Sequence, residues 1–177
     1  MNLPNKLTML RVLMIPVFLF FLMTEAGGEY SRYIATAIFV IASLTDALDG
    51  YIARKYNLVT NFGKFMDPIA DKILVCSAMI ALIELGDITA IAVIIIIARE
   101  FIISGFRLVA SDGGLVIAAS KTAKMKTISQ MIMVIYLLLG FSGGAYDVIG
   151  TALVLISVAF TVISAVEYIV KNIDVLK

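Results

Sequence analysis

Histidine is absent from the chain, and there is only one cysteine, Cys76. The sequence therefore excludes histidine-based nucleophilic catalysis and histidine metal sites, and carboxylates are the plausible ligands for a hard cation. A single cysteine excludes an intrachain disulfide, and its apolar neighbours indicate a small buried side chain. Charged residues make up only 15% of the chain and the net charge is +1. Nothing indicates nucleic-acid binding, which would need a concentrated basic patch.

Hydrophobic residues, in contrast, are in large excess. They make up 62% of the 177 residues, and the mean hydropathy is +1.05, whereas a soluble domain has roughly 45–50% apolar residues. A globule of this size cannot bury such an excess, because small domains have a high ratio of surface to volume. The sequence therefore predicts a membrane protein. The run at 12–23 has the length of a signal peptide, but Pro16 interrupts it, and we interpret it as the first membrane helix.

Six segments are long and apolar enough for a membrane helix, which needs about 20 residues. They cover residues 7–23, 33–56, 65–85, 88–110, 122–141 and 148–170, separated by breaks that contain Gly or Asn. The predicted fold is an all-α integral membrane protein of six transmembrane helices, with a short interfacial segment at the N-terminus. No linker or repeat divides the chain, so residues 1–177 are expected to form a single domain.

The basic residues predict an orientation in the membrane. With six spans, all of the 14 Lys and Arg residues except Arg32 fall on one side. The positive-inside rule places that side, together with both termini, in the cytoplasm. We therefore predict a multi-pass protein of the cytoplasmic membrane, with its polar motifs facing the cytoplasm.

The N-terminal residues 2–11 mix leucines with polar side chains at roughly helical spacing. One interpretation is an interfacial lead-in to the first span, whose cations reach towards the lipid headgroups. The other is that the polar face, which includes Asn5 and Thr8, closes one side of a ligand site. The sequence alone leaves both interpretations open.

Four aspartates interrupt the apolar pattern near the cytoplasmic ends of the second and third spans. Asp46 and Asp49 are three residues apart, and Asp67 and Asp71 are four apart, so each pair shares a helix face. The short connection between the spans lets the two pairs converge. Carboxylates crowded in this way repel one another and lose hydration, a conflict that one or two divalent cations remove. With oxygen ligands only, Mg²⁺, Mn²⁺ and Ca²⁺ are the candidates.

Small residues accompany the first acid pair, since Gly50 and Ala53 continue its helical stripe. In isolation, such residues in a membrane helix indicate tight helix packing. Beside paired acids and Arg54 they favour the close approach of a bulky ligand, and an arginine at a metal cluster suits phosphate. Arg54 and Lys64 also have a simpler interpretation as cations that reach the membrane surface.

Written out, the stretch is D-x2-D-G-x2-A-R-x8-G-x3-D-x3-D, which resembles the signature of the CDP-alcohol phosphotransferase family at every position. The matching residues are Asp46, Asp49, Gly50, Ala53, Arg54, Gly63, Asp67 and Asp71. The resemblance implies a six-helix membrane fold, usually a homodimer. It also implies an enzyme that transfers a phosphatidyl group from CDP-diacylglycerol to an alcohol and releases CMP.

The resemblance further implies roles for single residues. The four aspartates would hold two divalent cations, Mg²⁺ or Mn²⁺, and Asp71 would be the general base. The candidate contacts of the CDP-lipid are Asn5, Thr8, Asp49, Gly50, Ala53, Arg54, Gly63 and Lys64. A lipid substrate would explain why the acids lie at the membrane boundary.

Three further motifs, NLPNKLTMLR, AREFIISGFR and KTAKMKT, resemble those of bacterial phosphatidylglycerophosphate synthases. The acceptor that this implies is sn-glycerol 3-phosphate, a dianion. The cations that would bind its phosphate are Arg99, Arg107, Lys121, Lys124 and Lys126. One departure is Ala123, where the common form of the last motif has glycine.

Two alternatives remain open at this point. A relative with the same chemistry would use another acceptor, such as inositol phosphate, serine or phosphatidylglycerol. A cation transporter would also place acids within a helical bundle. The transporter leaves Gly50, Ala53 and Arg54 unexplained, and the acids lie at one edge of the predicted spans rather than at the midplane.

Overall fold

The computed structural model describes residues 2–24, 26–56, 60–112 and 120–173. Within these ranges the side chains of residues 3, 47–54, 61, 64 and 112 are not described. All regular elements in the described part are helical. They are α1 (Leu3–Met23), a 3-10 helix (Gly28–Tyr30), α2 (Ser31–Lys55), α3 (Asn61–Glu84), α4 (Ala90–Asp112), α5 (Lys121–Leu138) and α6 (Gly144–Lys171).

Each of the six apolar segments predicted from the sequence overlaps one of these helices, so the all-α prediction is confirmed. The N-terminal residues are continuous with the first predicted span, because α1 runs without a break from Leu3 to Met23. Their interfacial position stays a prediction. Asn2 caps this helix by accepting a hydrogen bond from the Asn5 amide at 3.2 Å. Pro4 lies in the first turn, where its missing N–H is no loss. The predicted N-terminal segment and the first predicted span therefore belong to one helix, α1.

The surface of α6 has the reverse of the pattern expected in water. Its buried positions are Gly150, Ser157, Thr161, Ser164 and Tyr168, which are small or polar. Large aliphatic side chains point outwards, including Leu155 (65% exposed) and Val170 (66% exposed). Small and hydroxyl-bearing residues are typical of helix contacts inside a membrane, where lipid solvates the aliphatic face.

Two described helices, Pro4–Met23 and Gly144–Lys171, are long and apolar enough to cross a membrane. Together with the exposed aliphatic faces, they are consistent with a membrane protein.

The chain divides into two compact units. Unit 1 contains residues 1–85 and 138–140, and unit 2 contains residues 86–137 and 141–177. In unit 1, α1 packs against both α2 and α3, and the buried rings of Phe18 and Phe39 lie 5.7 Å apart between α1 and α2. In unit 2, α4 packs against α6. The single functional domain expected from the sequence stays a prediction.

Candidate functional site

A buried polar stripe on α1 contacts the acid-bearing helices of unit 1. Asn5, Thr8 and Arg11 follow one another at intervals of three residues, so they share one helix face. All three are buried, with 6%, 0% and 0% of their surface exposed. Polar groups in such a position need polar partners, because burial without a hydrogen bond is costly. They find these partners on α2 and at the start of α3.

Arg11 is bound to the first signature aspartate. Its Nη1 lies 2.8 Å from Oδ1 of Asp46, and its Nε donates a hydrogen bond to the Ala42 carbonyl at 3.2 Å. Both partners are on α2, so the guanidinium joins α1 to the turn of α2 that carries the acid. The Asp46 side chain remains 39% exposed, so its carboxylate is accessible to a ligand while the arginine holds it.

Thr8 makes the equivalent contact with the third signature aspartate. Its hydroxyl oxygen lies 2.6 Å from Oδ1 of Asp67 and 3.2 Å from the Pro4 carbonyl oxygen. A hydroxyl has one proton, and the shorter contact to a charged acceptor is the stronger one. Thr8 therefore donates to Asp67 and fixes that carboxylate against α1.

The start of α3 is held by Asn5. Thr60 caps α3 by accepting a hydrogen bond from the Gly63 amide at 3.0 Å. The Thr60 hydroxyl in turn donates to Oδ1 of Asn5 at 2.9 Å. A Cβ atom at Gly63 would lie only 3.1 Å from Oδ1 of Asn5 and 3.5 Å from Oδ2 of Asp67. Glycine at this position therefore lets Asn5 of α1 approach the first turn of α3 closely.

The donor set of unit 1 fits a hard divalent cation in its chemistry. Asp46, Asp67 and Asp71 are half-buried carboxylates, and Asp71 follows Asp67 by one helical turn. Asp49 lies on α2, but its side chain is outside the described residues. Among the side chains that are described, no three acidic, histidine or cysteine groups form a metal-binding cluster. The described acids offer only oxygen ligands, which Mg²⁺ and Mn²⁺ accept.

Unit 2 contains a basic pocket of about 490 Å³. Three of the predicted phosphate-binding cations, Arg99, Arg107 and Lys124, line it. They come from α4 and α5. Lys121 is the exposed first residue of α5. The pocket gathers positive charge in a cavity with room for a small phosphorylated molecule. Phosphate binding by these three residues stays a prediction.

A carboxylate orders the cations of the pocket. Glu100 accepts hydrogen bonds from Arg99 Nη1 at 3.1 Å and from the Lys126 ammonium. The second terminal nitrogen of Arg99 donates to the Ser164 hydroxyl on α6 at 3.0 Å. Lys126 is only 4% exposed, and its buried charge is neutralised by the ion pair with Glu100. Glu100 thereby fixes the direction of Arg99 across α4, α5 and α6.

Comparison with known proteins decides the family. The family model of the CDP-alcohol phosphatidyltransferases matches residues 1–163 of the 177-residue chain. The chain belongs to this family. The match covers α1 to α5 and most of α6, and it includes every residue of the signature.

Curated relatives in this family match the chain over nearly its full length. The CDP-diacylglycerol–glycerol-3-phosphate 3-phosphatidyltransferase of Bacillus subtilis is 44% identical, over 99% of this chain and 97% of its own. The protein with the same name in Rickettsia typhi is 41% identical, over 94% of each chain. A probable phosphatidylglycerophosphate synthase of Mycobacterium tuberculosis is 41% identical, over 96% of this chain and 81% of its own.

Of the residues predicted to contact the CDP-lipid, some have side chains in the described part of the structure and others do not. Asn5 and Thr8 are in place beside the acids, but their described hydrogen bonds are to protein groups. Gly63 is buried at the same point. The side chains at Asp49, Gly50, Ala53, Arg54 and Lys64 lie outside the described residues. Contact of these residues with a ligand stays a prediction.

Three residues that organise the sites were not among the predicted site residues. Arg11 had the signal of its spacing, because it follows Thr8 by three residues on the polar face of residues 2–11. Glu100 had a usable signal, because it is an acid next to Arg99 inside an apolar helix. Thr60 had the signal of a helix cap, three residues before Gly63.

We predict that Arg11→Met destabilises the protein by about 1.5–3 kcal/mol, the usual contribution of a hydrogen bond to a charged group. The free energy of unfolding would be measured in detergent with divalent cations chelated. Lys6→Met is the matched control, because Lys6 is exposed on the same helix. If the two variants lose the same stability, the bond between Arg11 and Asp46 does not hold α1 to α2.

Proposed function

We propose that this protein transfers the phosphatidyl group of CDP-diacylglycerol to sn-glycerol 3-phosphate, which yields phosphatidylglycerophosphate and CMP. The observation that carries the proposal is the 44% identity, over 99% of this chain, to a relative named for that activity. The structure supports it with two features. Two acids of the family signature, Asp46 and Asp67, are held by α1 in unit 1, and a basic pocket lies in unit 2.

In the proposed reaction, a hydroxyl of the acceptor attacks the phosphorus that carries the diacylglycerol group. The new O–P bond forms as the bond from this phosphorus to the CMP oxygen breaks, and Asp71 takes the proton of the attacking hydroxyl. Two divalent cations held by Asp46, Asp49, Asp67 and Asp71 would neutralise the pyrophosphate charge and stabilise the leaving CMP. Arg11 and Thr8 keep two of these carboxylates in fixed positions.

The CDP-lipid would lie along the acid-bearing turns of α2 and α3. Gly50 and Ala53 would let the nucleotide approach the α2 backbone, and Arg54 and Lys64 would bind its phosphates. In the same proposal, Asn5, Thr8, Asp49 and Gly63 complete the contacts. The acyl chains would remain in the bilayer, which accounts for a reaction centre at the membrane boundary.

The acceptor phosphate would bind in the basic pocket. Three cations line it, namely Arg99, Arg107 and Lys124. Lys126 forms an ion pair with Glu100, and Lys121 is exposed at the start of α5. A dianion suits an excess of positive charge, whereas serine or an uncharged alcohol would leave this charge unpaired. This charge supports a phosphorylated acceptor over serine or an uncharged alcohol.

The proposed setting is the cytoplasmic membrane, with six spans, both termini in the cytoplasm and the reaction on that side. The distribution of Lys and Arg supports it, because Arg32 alone falls on the outer side of a six-span arrangement. The arrangement as a homodimer is part of the proposal, as the family resemblance implies.

The activity predicts a specific result in an acceptor screen. The purified protein would be incubated with CDP-diacylglycerol, Mg²⁺ or Mn²⁺, and one alcohol at a time, and released CMP would be measured. We expect release with sn-glycerol 3-phosphate and little with serine or glycerol, because the basic pocket suits a phosphorylated acceptor. Inositol phosphate and phosphatidylglycerol also carry phosphate, and we expect little release with them because the relatives are named for glycerol 3-phosphate. Glycerol is the matched control, since it lacks only the phosphate.

Clear release with another alcohol, and none with glycerol 3-phosphate, would reject the proposed acceptor. Absence of release with every acceptor would reject the enzyme and favour a cation transporter.

The orientation predicts which positions are accessible from outside the cell. In a Cys76→Ser background, Ser142→Cys should react with a membrane-impermeant maleimide on intact cells. Ser111→Cys should react only after the membrane is permeabilised. Both serines are exposed and the change is nearly isosteric, so each variant is the control for the other. The opposite pattern would mean that the topology is inverted.

A further inference from the structure

Arg11 brings a permanent positive charge into contact with the acids of unit 1. None of its surface is exposed, and its Nη1 lies 2.8 Å from Oδ1 of Asp46. Its Nε donates to the Ala42 carbonyl at 3.2 Å, which fixes the guanidinium against α2. A guanidinium stays protonated in proteins. Arg11 is therefore a fixed cation beside a carboxylate that the proposed function assigns to metal binding.

Burial makes this charge act on the acids at nearly full strength. Water and salt screen an exposed charge, whereas a buried one interacts through a medium of lower dielectric constant. Lys6 lies on the same helix but is exposed, so its charge is screened. Among the described side chains of α1, Arg11 is therefore the cation that can change the affinity of the acids for a metal ion.

The contact between Arg11 and Asp46 has two opposite effects on that affinity. It orients the carboxylate, and partners that orient a metal ligand usually strengthen metal binding. It also places a positive charge against the ligand, which repels an incoming cation and neutralises part of the carboxylate charge. The repulsion acts on a doubly charged ion, whereas the orientation concerns one short side chain that α2 already holds in place. We therefore expect the repulsion to be the larger effect.

The charges of the whole site lead to the same expectation. Two divalent cations would neutralise the four signature aspartates exactly as many charges for charges, so Arg11 leaves one positive charge in excess. A ligand that brings negative charge removes this excess. The pyrophosphate of the CDP-lipid is such a ligand in the proposed function.

We propose that Arg11 is a positioning residue that acts through Asp46: its charge holds this carboxylate and lowers the affinity of the acids for divalent cations until the CDP-lipid adds negative charge. The inference rests on the proposed function and adds to it a coupling between cation and substrate. The enzyme would then bind its cations firmly only when the CDP-lipid is present.

The test separates the charge of Arg11 from its hydrogen bonds. Arg11→Gln removes the charge and keeps an N–H donor, whereas Arg11→Lys keeps the charge. Mn²⁺ alone would be titrated into each protein in detergent, and the free ion would be measured by electron paramagnetic resonance. We expect the Kd for Mn²⁺ to fall roughly tenfold or more in Arg11→Gln, and to stay within about threefold of wild type in Arg11→Lys. Lys6→Gln is the matched control, because it removes a screened charge from the same helix, and its Kd should not change.

Two results would overturn the role of Arg11. One is a Kd for Mn²⁺ that is unchanged or higher in Arg11→Gln, since a purely structural contact predicts no tighter binding. The other is equal tightening in Arg11→Gln and Arg11→Lys, which would mean that the charge is not the cause.

A second measurement adds CDP-diacylglycerol to the Mn²⁺ titration. The Kd for Mn²⁺ should fall in the wild type, and fall less in Arg11→Gln. An unchanged Kd in the wild type would contradict the coupling even if Arg11→Gln does not fold. The proposed function has a separate outcome, because it is rejected by a wild type that binds Mn²⁺ but releases no CMP with glycerol 3-phosphate. The comparison of Mn²⁺ affinities would still decide the role of Arg11.

Discussion

The arrangement of unit 1 depends on one buried polar stripe in an otherwise apolar helix. Inside a membrane protein, polar groups have no water to bind, so a helix with such a stripe must turn it towards polar partners. Arg11 meets Asp46 on α2, and Thr8 meets Asp67 on α3. These bonds fix the rotation of α1 and bring an acid from each of the two helices against the same helix face. The attraction of a buried cation thus offsets part of the repulsion between carboxylates that the chemistry needs close together.

The same principle orders unit 2, with a carboxylate at the centre in place of a cation. Glu100 binds Lys126 and Arg99, and Arg99 is tied to Ser164 on α6. Polar groups therefore lie between the helices and aliphatic groups lie outside, as in the buried hydroxyl stripe of α6. A polar interior of this kind lets a membrane enzyme bind charged substrates without exposing charge to lipid.

The helices and the acid pairs were predictable from the sequence because they depend on local patterns, namely runs of apolar residues and intervals of three or four. The partners of the acids were not, because they are distant in the chain. Thr8 and Asp67, for example, are 59 positions apart. The open choice at the N-terminus is resolved in part, since the polar face of residues 2–11 lies against the acids.

In the proposed mechanism, the four aspartates form a two-cation reaction centre in which Asp71 is the base. The most direct test measures bound Mn²⁺ and released CMP on the same samples of wild type and Asp71→Asn, with CDP-diacylglycerol present. The mechanism predicts two Mn²⁺ ions per wild-type chain. In the variant it predicts loss of turnover while at least one ion remains bound, because the amide cannot take the proton but three carboxylates are left. Less than one ion per wild-type chain, or unchanged turnover in the variant, would contradict it.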